Sequence, residues 1–193
     1  MRPLKFFVAY VACYVAASYA DLATTSLGLR REGVSEKNVF VVTGEGYSDS
    51  RAWLITVLGG LVLIGCVWFA ARNANRVDER WLRQPIRSLC VVYFSPWSKK
   101  GIAVAPLHAL GLAMAFVILR VVAAANNLLV YAFGISPMGT PMKLIGAEMS
   151  PLAGFVIVGF SCLVFLAVAL LPVAVRIMRS WRTSEPTECH AAA

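Results

Sequence analysis

The chain has 193 residues, of which 59% are hydrophobic and only 15% are charged, and its mean hydropathy is +0.71. Soluble domains contain about 45–50% apolar and about 25% charged residues, so this composition excludes an ordinary soluble domain. The net charge of +8 does not indicate a nucleic-acid partner, because the basic residues lie mostly on one side of four long apolar stretches. Each stretch reaches the length of about 20 residues that a bilayer requires. The sequence therefore predicts an all-α fold, an integral membrane bundle of four transmembrane helices within residues 1–176.

The first predicted span, residues 4–29, carries Asp21, Thr24 and Thr25 in an otherwise apolar run. A carboxylate near the bilayer centre costs about 2.5–3.5 kcal/mol on insertion scales, so it is expected to have a partner. The alternative is that Asp21 satisfies a local group near the helix end. A neighbouring row of small residues at four-residue spacing predicts a face packed against other helices. This small-residue row consists of Ala12, Ala16, Ala20, Thr24 and Gly28.

The beginning of the first span also has the pattern of a secretory signal. Basic residues precede an apolar run, and Ser18-Tyr19-Ala20 supplies small residues at the two positions that a signal peptidase reads. Cleavage there would make Asp21 the new N-terminus and remove the span. We interpret the run as an uncleaved span, because it continues to Leu29 with helix-packing periodicity; cleavage is the alternative.

Residues 30–52 form a loop in which basic and acidic side chains balance, and residues 53–71 form the second span. This span has 19 residues without a charge. Gly59, Gly60 and Gly65 within it are expected to let neighbouring helices approach closely, because small residues mediate helix contacts in lipid.

Residues 72–101 form the most basic connection, with seven Lys and Arg against two acidic residues. Apolar residues predominate from Trp81 to Trp97, with aromatic residues at both ends and two arginines between them. This mixture predicts a cytoplasmic loop with a segment that lies along the membrane surface and binds anionic lipid. An ordinary cytosolic loop with snorkelling arginines is the alternative.

Between residues 101 and 142 the only charged residue is Arg120. As one helix the run would be about 63 Å long, twice the thickness of the hydrocarbon layer. We therefore predict a third span over 104–133, with a break near its asparagines, followed by an apolar loop; a re-entrant segment over 126–142 is the alternative. His108 on this helix is expected to be packed or interfacial rather than a proton relay.

Residues 151–175 form the fourth span, with 25 uncharged residues, and residues 177–193 are expected to be a flexible cytoplasmic tail. Twelve of the 18 basic residues lie within the first five residues, in the 72–101 loop or from Arg176 onward. Because positive residues favour the cytoplasmic side, both termini are predicted to be cytoplasmic in the cell inner membrane, with the 30–52 loop outside.

This topology places an acid and a base at similar depth. Asp21 lies about 22 Å along the first span and Arg120 about 24 Å along the third, both of which run outward. Intramembrane charges usually pair, so we expect these two to meet, with Thr25 and Asn127 hydrogen-bonded around them. The pair could be purely structural or could form a ligand site. The predicted polar site consists of Asp21, Thr24, Thr25, Arg120, Asn126 and Asn127, with no catalytic residue, metal or cofactor.

These polar residues carry a resemblance. The matching pattern is Asp21-x3-Thr25, Gly33-x2-Glu36-x-Asn38, Arg120 and Asn126-Asn127. It resembles a small bacterial membrane-protein family of unknown function, over about residues 1–40 and 105–130. Val39 stands where that family has a proline, and Lys37 separates Glu36 from Asn38. The resemblance implies that the outer-loop residues Glu36 and Asn38 belong with the polar site, and it implies no activity.

Two functions fit these features and a third is disfavoured. Small-residue helix faces and short loops favour a scaffold or accessory subunit of a membrane complex, through a protein partner or self-association. The intramembrane charges favour a transporter or channel-like protein, although four spans are few and no internal repeat is evident. An enzyme is disfavoured, because the chain has no G-x-S-x-G, no H-E-x-x-H, no P-loop and only two histidines.

Overall fold

The computed structural model describes residues 3–34, 40–43 and 46–182. Within these residues the chain is mostly helical, and its connections include a 3-10 turn, Ala74–Arg76, and an antiparallel pairing of β1, Val42–Thr43, with β2, Gly46–Tyr47. The helices are α1 Pro3–Gly28, α2 Asp49–Arg72, α3 Glu79–Arg83, α4 Pro85–Phe94, α5 Lys99–Phe133, α6 Gly139–Glu148 and α7 Pro151–Arg182.

Helices α1, α2, α5 and α7 are each long and apolar enough to cross a membrane, so the predicted helical class and the four long helices are confirmed. Helix α5 is continuous through both asparagines, where the sequence suggested a break. Ser98 caps its first turn by accepting from the Gly101 amide at 3.0 Å. Gly134 ends it in the left-handed conformation, with φ of 72°, which glycine adopts without strain.

Three segments differ from the sequence-based expectation. Residues 139–148 form helix α6 instead of an apolar loop, and the 72–101 connection contains α3 and α4. Helix α7 continues past residue 175 to Arg182, so the first part of the predicted tail is helical. Charged side chains alone do not end a helix, and no glycine or proline follows before Arg182 to stop this one.

Helix α5 is the centre of the bundle and contacts α1, α2, α4 and α7. The main hydrophobic core lies at what we call the basic end, where residues 72–98 connect α2 to α5. Its largest fully buried side chains include Leu107, Leu110, Leu171 and Met178. We call the opposite end the open end, because a cavity separates the helices there. The short helices α3 and α4 lie at the basic end, where α4 packs against α5 and α7. The cavity lies at the open end.

The small-residue row on α1 does not pack as the sequence predicts. Ala12, Ala16 and Ala20 are exposed, whereas Thr24 and Gly28 are buried. The residues of α1 that face the bundle are instead offset by one or two positions, and Tyr10, Tyr14 and Asp21 are among them. Within the described chain the alanines are therefore not covered by another helix, and the buried face of α1 instead carries two tyrosines that donate to backbone carbonyls on α5 and α2.

Candidate functional site

An ion pair joins α1 to α5 at the floor of the open end. The Arg120 Nη1 donates to the Asp21 Oδ2 at 2.6 Å. The side chains are 17% and 12% exposed, respectively, so both charges are largely removed from the surroundings. The predicted meeting of these two charges is therefore present. Such a pair is costly to separate, because either charge alone would be left uncompensated.

Asn127 and Thr25 extend this pair along the same two helices. The Asn127 Nδ2 donates to the Thr25 Oγ1 at 2.8 Å and lies 3.4 Å from the Asp21 Oδ1. The Thr25 hydroxyl in turn donates to the Asp21 carbonyl at 2.8 Å. The seven-residue spacing of Arg120 and Asn127 places both on one face of α5, two turns apart. The arrangement predicted for these four side chains is therefore found.

Thr56 is a member of the site that the sequence analysis missed. The Arg120 Nη2 donates to its Oγ1 at 3.2 Å, and its backbone carbonyl accepts from the Tyr14 hydroxyl at 2.6 Å. Thr56 is the only serine or threonine between residues 53 and 71, and this was a usable signal in the sequence. The Arg120 Nε is buried without a hydrogen-bond partner among the described residues. We call Asp21, Thr25, Thr56, Arg120 and Asn127 the polar cluster.

Thr24 and Asn126, which the sequence placed in the same site, have other partners. The Thr24 hydroxyl donates to the Ala20 carbonyl at 2.8 Å, within its own helix. The Asn126 Oδ1 accepts from the Met138 amide at 3.0 Å and thereby holds the start of α6. Asn126 still lines the cavity, whereas Thr24 does not. Glu36 and Asn38 lie outside the described residues, so their part in the site stays a prediction.

A cavity of about 870 Å³ lies over the polar cluster, between α1, α2, α5, α6 and α7. This volume is within the range of about 300–1,000 Å³ typical of small-molecule sites. Its wall on α7 is apolar and consists of Phe155, Val156, Gly159, Phe160 and Leu163. All members of the polar cluster line the cavity. The site therefore offers hydrogen-bonding groups on one side and aromatic and aliphatic surface on the other.

Further charged side chains lie around the rim of this cavity, namely Arg31, Glu32 and Lys143. The Arg31 Nη1 donates to the Tyr131 carbonyl at 2.9 Å. Its guanidinium also lies against Gly134, where an added Cβ would be 2.9 Å from Nη2. A cation is favourable there, because the carbonyls at a helix C-terminus carry partial negative charge. Arg31 thus connects the end of α1 to the end of α5 at the rim.

His108 lies at the basic end, in the contact between α4 and α5. Its Nε2 is 2.8 Å from the Ser88 Oγ, and Ser88 donates its hydroxyl proton to the Pro85 carbonyl at 2.6 Å. Because a hydroxyl has one proton, His108 must be the donor in its bond with Ser88. His108 is therefore packed between helices. Among the described residues, no three or more His, Cys, Asp or Glu side chains form a group suited to a metal ion.

No protein-family model, curated protein or solved structure matches the chain. The resemblance to a small bacterial membrane family therefore depends on the residues that carry it. Of the residues that carry it, Asp21, Thr25, Arg120 and Asn127 lie together in the structure. Asn126 instead binds the start of α6, and Glu36 and Asn38 lie outside the described residues. The fold is that of an all-α chain with four helices that are long and apolar enough to span a membrane. The site is a polar cluster beside a cavity.

Proposed function

We propose that this chain is a multi-pass inner-membrane protein that binds a small ligand in the cavity over the polar cluster. The observation that carries the proposal is the cavity of about 870 Å³ directly against the ion pair of Asp21 and Arg120. A pair that served packing alone would be expected to be enclosed by side chains, because proteins leave few large voids. From the sequence, a ligand site at this ion pair was one of two alternatives, and a transporter or channel-like protein was the function proposed for the same residues.

The proposed topology follows from the charge distribution. Basic residues are concentrated at the termini and in the 72–101 connection, which favours the cytoplasm for the basic end. The cavity then lies in the outer half of the membrane. Large apolar side chains exposed on the long helices suit contact with lipid, and Leu61, Val62 and Phe165 are examples.

The proposal concerns binding, and passage across the membrane would require a further change of structure. Below the polar cluster, Leu107, Leu110 and Leu171 are at most 2% exposed and close the bundle toward the basic end. A transport cycle would have to open this packed region.

The test fills the cavity without disturbing the helices. A Cβ added at Gly159 meets nothing within 4 Å, and Gly159 lines the cavity, so Gly159→Phe places a ring in the empty space. Gly65→Phe is the matched control, since its Cβ also meets nothing within 4 Å and it lies away from the cavity. Native mass spectrometry of the purified proteins is expected to detect a co-purified small molecule on wild type and on Gly65→Phe, and none on Gly159→Phe. Equal occupancy of all three proteins would contradict the proposal.

A second candidate function is that of a scaffold or accessory subunit. The observation that favours it is the exposure of Ala12, Ala16 and Ala20, a small-residue row that no other part of the described chain covers. Such rows allow close approach of helices in lipid. Ala16→Leu is expected to reduce self-association or partner binding in mild detergent, and Val15→Leu, at a neighbouring exposed position, is expected to leave it unchanged. Unaltered association of Ala16→Leu would contradict this candidate.

A further inference from the structure

The cavity has two chemically different sides. On α1, α2 and α5 the polar cluster presents a guanidinium, a carboxylate bound to it, an amide and two hydroxyl groups. On α7 the facing surface consists of Phe155, Val156, Phe160 and Leu163, which offer no hydrogen bond. A ligand that contacts both sides must be amphipathic. A wholly polar solute would make no apolar contact with α7. A pure hydrocarbon would form no hydrogen bond with the polar cluster.

The cavity is also open on one side instead of being sealed. Phe160 on α7 is 57% exposed and Ile55 on α2 is 37% exposed, although both line the cavity. Helices α2 and α7 contact each other only slightly, whereas each packs against α5. The gap between α2 and α7 lies along membrane-crossing lengths of both helices, so an apolar chain could leave the cavity there and extend into the hydrocarbon layer.

The charges at the cavity favour an acid. Among the described lining residues, three side chains are basic and two are acidic. Asp21 is already bound to Arg120, which leaves Arg31 and Lys143 against Glu32. In addition, the buried Nε of Arg120 has no hydrogen-bond partner among the described residues. Guanidinium and ammonium groups bind carboxylate and phosphate oxygens strongly, because the bonds are charge-assisted.

We infer that the ligand is an acidic amphiphile, with a carboxylate or phosphate head group toward the basic side chains and an apolar chain along α7 and out between α2 and α7. This inference rests on the proposed function and names the ligand class for the same cavity. One alkyl or isoprenoid chain with a small head group suits the cavity volume of about 870 Å³. Fatty acids and the phosphate esters of lipids share this chemistry.

The experiment compares four probes with the same chain: hexadecanoate, hexadecyl phosphate, hexadecanol and hexadecyltrimethylammonium. Each is titrated onto the full chain in a non-ionic detergent, and binding is followed by native mass spectrometry. The two acids are expected to bind at least about tenfold more tightly than the alcohol, because each gains a charge-assisted hydrogen bond. The carboxylate and phosphate arms show which acid is preferred and hence whether a fatty acid or a lipid phosphate is the source.

Lys143→Gln tests the charge, with Lys99→Gln as the matched control at the other end of the bundle. Both lysines are exposed, so neither change is expected to affect folding. Lys143→Gln should remove most of the preference for the acids over the alcohol, and Lys99→Gln should keep it. Gly159→Phe should reduce the binding of all four probes.

Equal affinity of wild type for acids and alcohol, or a preference for the quaternary ammonium, would overturn the inference. The same holds if Lys143→Gln and Lys99→Gln have equal effects. In each of these cases the proposed function stands as long as Gly159→Phe still blocks occupancy of the cavity. If Gly159→Phe changes neither the co-purified molecule nor the binding of added probes, the proposed function itself fails. The two failures are therefore distinguishable.

Discussion

The two ends of the bundle are held together by different interactions. At the basic end, side chains such as Leu107, Leu110 and Met178 are fully buried and interdigitate between helices. At the open end, the cavity takes the place of such packing, and the helices are connected by the polar cluster and by Arg31. Lipid provides no hydrophobic force for helix association, so each end must rely on direct contacts. The comparison teaches that an ion pair and its hydrogen bonds can connect helices across a region that side chains do not fill.

The largest expected effect comes from breaking the ion pair at the open end. Arg120→Met leaves the Asp21 carboxylate, in a residue 8% exposed, without a counter-charge. We expect the free energy of unfolding to fall by about 3–5 kcal/mol, and the double variant Asp21→Asn/Arg120→Met to recover most of this loss. Denaturant titration in detergent measures both. Arg179→Met, which affects an exposed ion pair with Glu79, is expected to cost about 1 kcal/mol or less. An Arg120→Met variant as stable as wild type would contradict the expected role of the ion pair.

A leucine truncation at each end sharpens the same contrast. Leu110→Ala at the packed end is expected to lower the free energy of unfolding by about 2–5 kcal/mol, because it creates a void among fully buried side chains. Leu163→Ala merely enlarges an existing cavity and should cost about 1 kcal/mol or less. Thermal unfolding of the two purified variants gives the comparison. Equal losses would mean that the open end is packed as densely as the basic end.

Two glycines on α2 provide a smaller effect. A Cβ added at Gly60 would lie 2.6 Å from the Tyr14 ring, so Gly60→Ala forces α1 and α2 apart at an estimated cost of about 1–3 kcal/mol. Gly65→Ala meets nothing within 4 Å and should be neutral or slightly stabilising, since alanine favours the helix. The melting temperatures of both variants decide between these outcomes. A stable Gly60→Ala would show that the contact between Tyr14 and Gly60 is loose.

The smallest expected effect concerns the attachment of α4 to the basic end. Ser88→Ala removes the hydrogen bond to His108 and should cost about 1 kcal/mol. Hydrogen exchange of the α4 amides is then expected to become about fivefold faster, while amides in the middle of α5 are unaffected. Ser95→Ala, at an exposed position just after α4, is the control. Unchanged exchange in Ser88→Ala would show that α4 is held by its apolar contacts alone.

The sequence was sufficient to predict the four long helices and the meeting of Asp21 with Arg120. Both predictions use regularities that hold in any bilayer: apolar length sets the spans, and the high cost of an isolated charge requires a partner at similar depth. Thr25 and Asn127 followed, because helical periodicity places them on the faces of Asp21 and Arg120, respectively.

The cavity could not be predicted from the sequence, because it depends on how far apart five helices lie. Helix α6 was missed because Pro137, Gly139 and Pro141 together indicate turns, whereas here Pro141 lies in the first turn of a helix, which tolerates it. The exposure of Ala12 and Ala16 was missed for a different reason. Small residues show which face of a helix can be approached closely, and they do not say whether the approaching helix belongs to the same chain.

Helix α7 has a mechanical consequence. It is one continuous rod from Pro151 to Arg182, and its two ends do different things. Near its start the helix forms a wall of the cavity. Near its end the Arg179 Nη2 lies 2.8 Å from the Glu79 Oε1, and the Arg182 Nη1 lies 2.7 Å from the Glu79 Oε2. Pro172 lies between these two ends of the helix and has no backbone N–H to donate, so one hydrogen bond of α7 is missing there. If the proposed ligand displaces α7 outward from the cavity, the two ion pairs with Glu79 are therefore expected to lengthen.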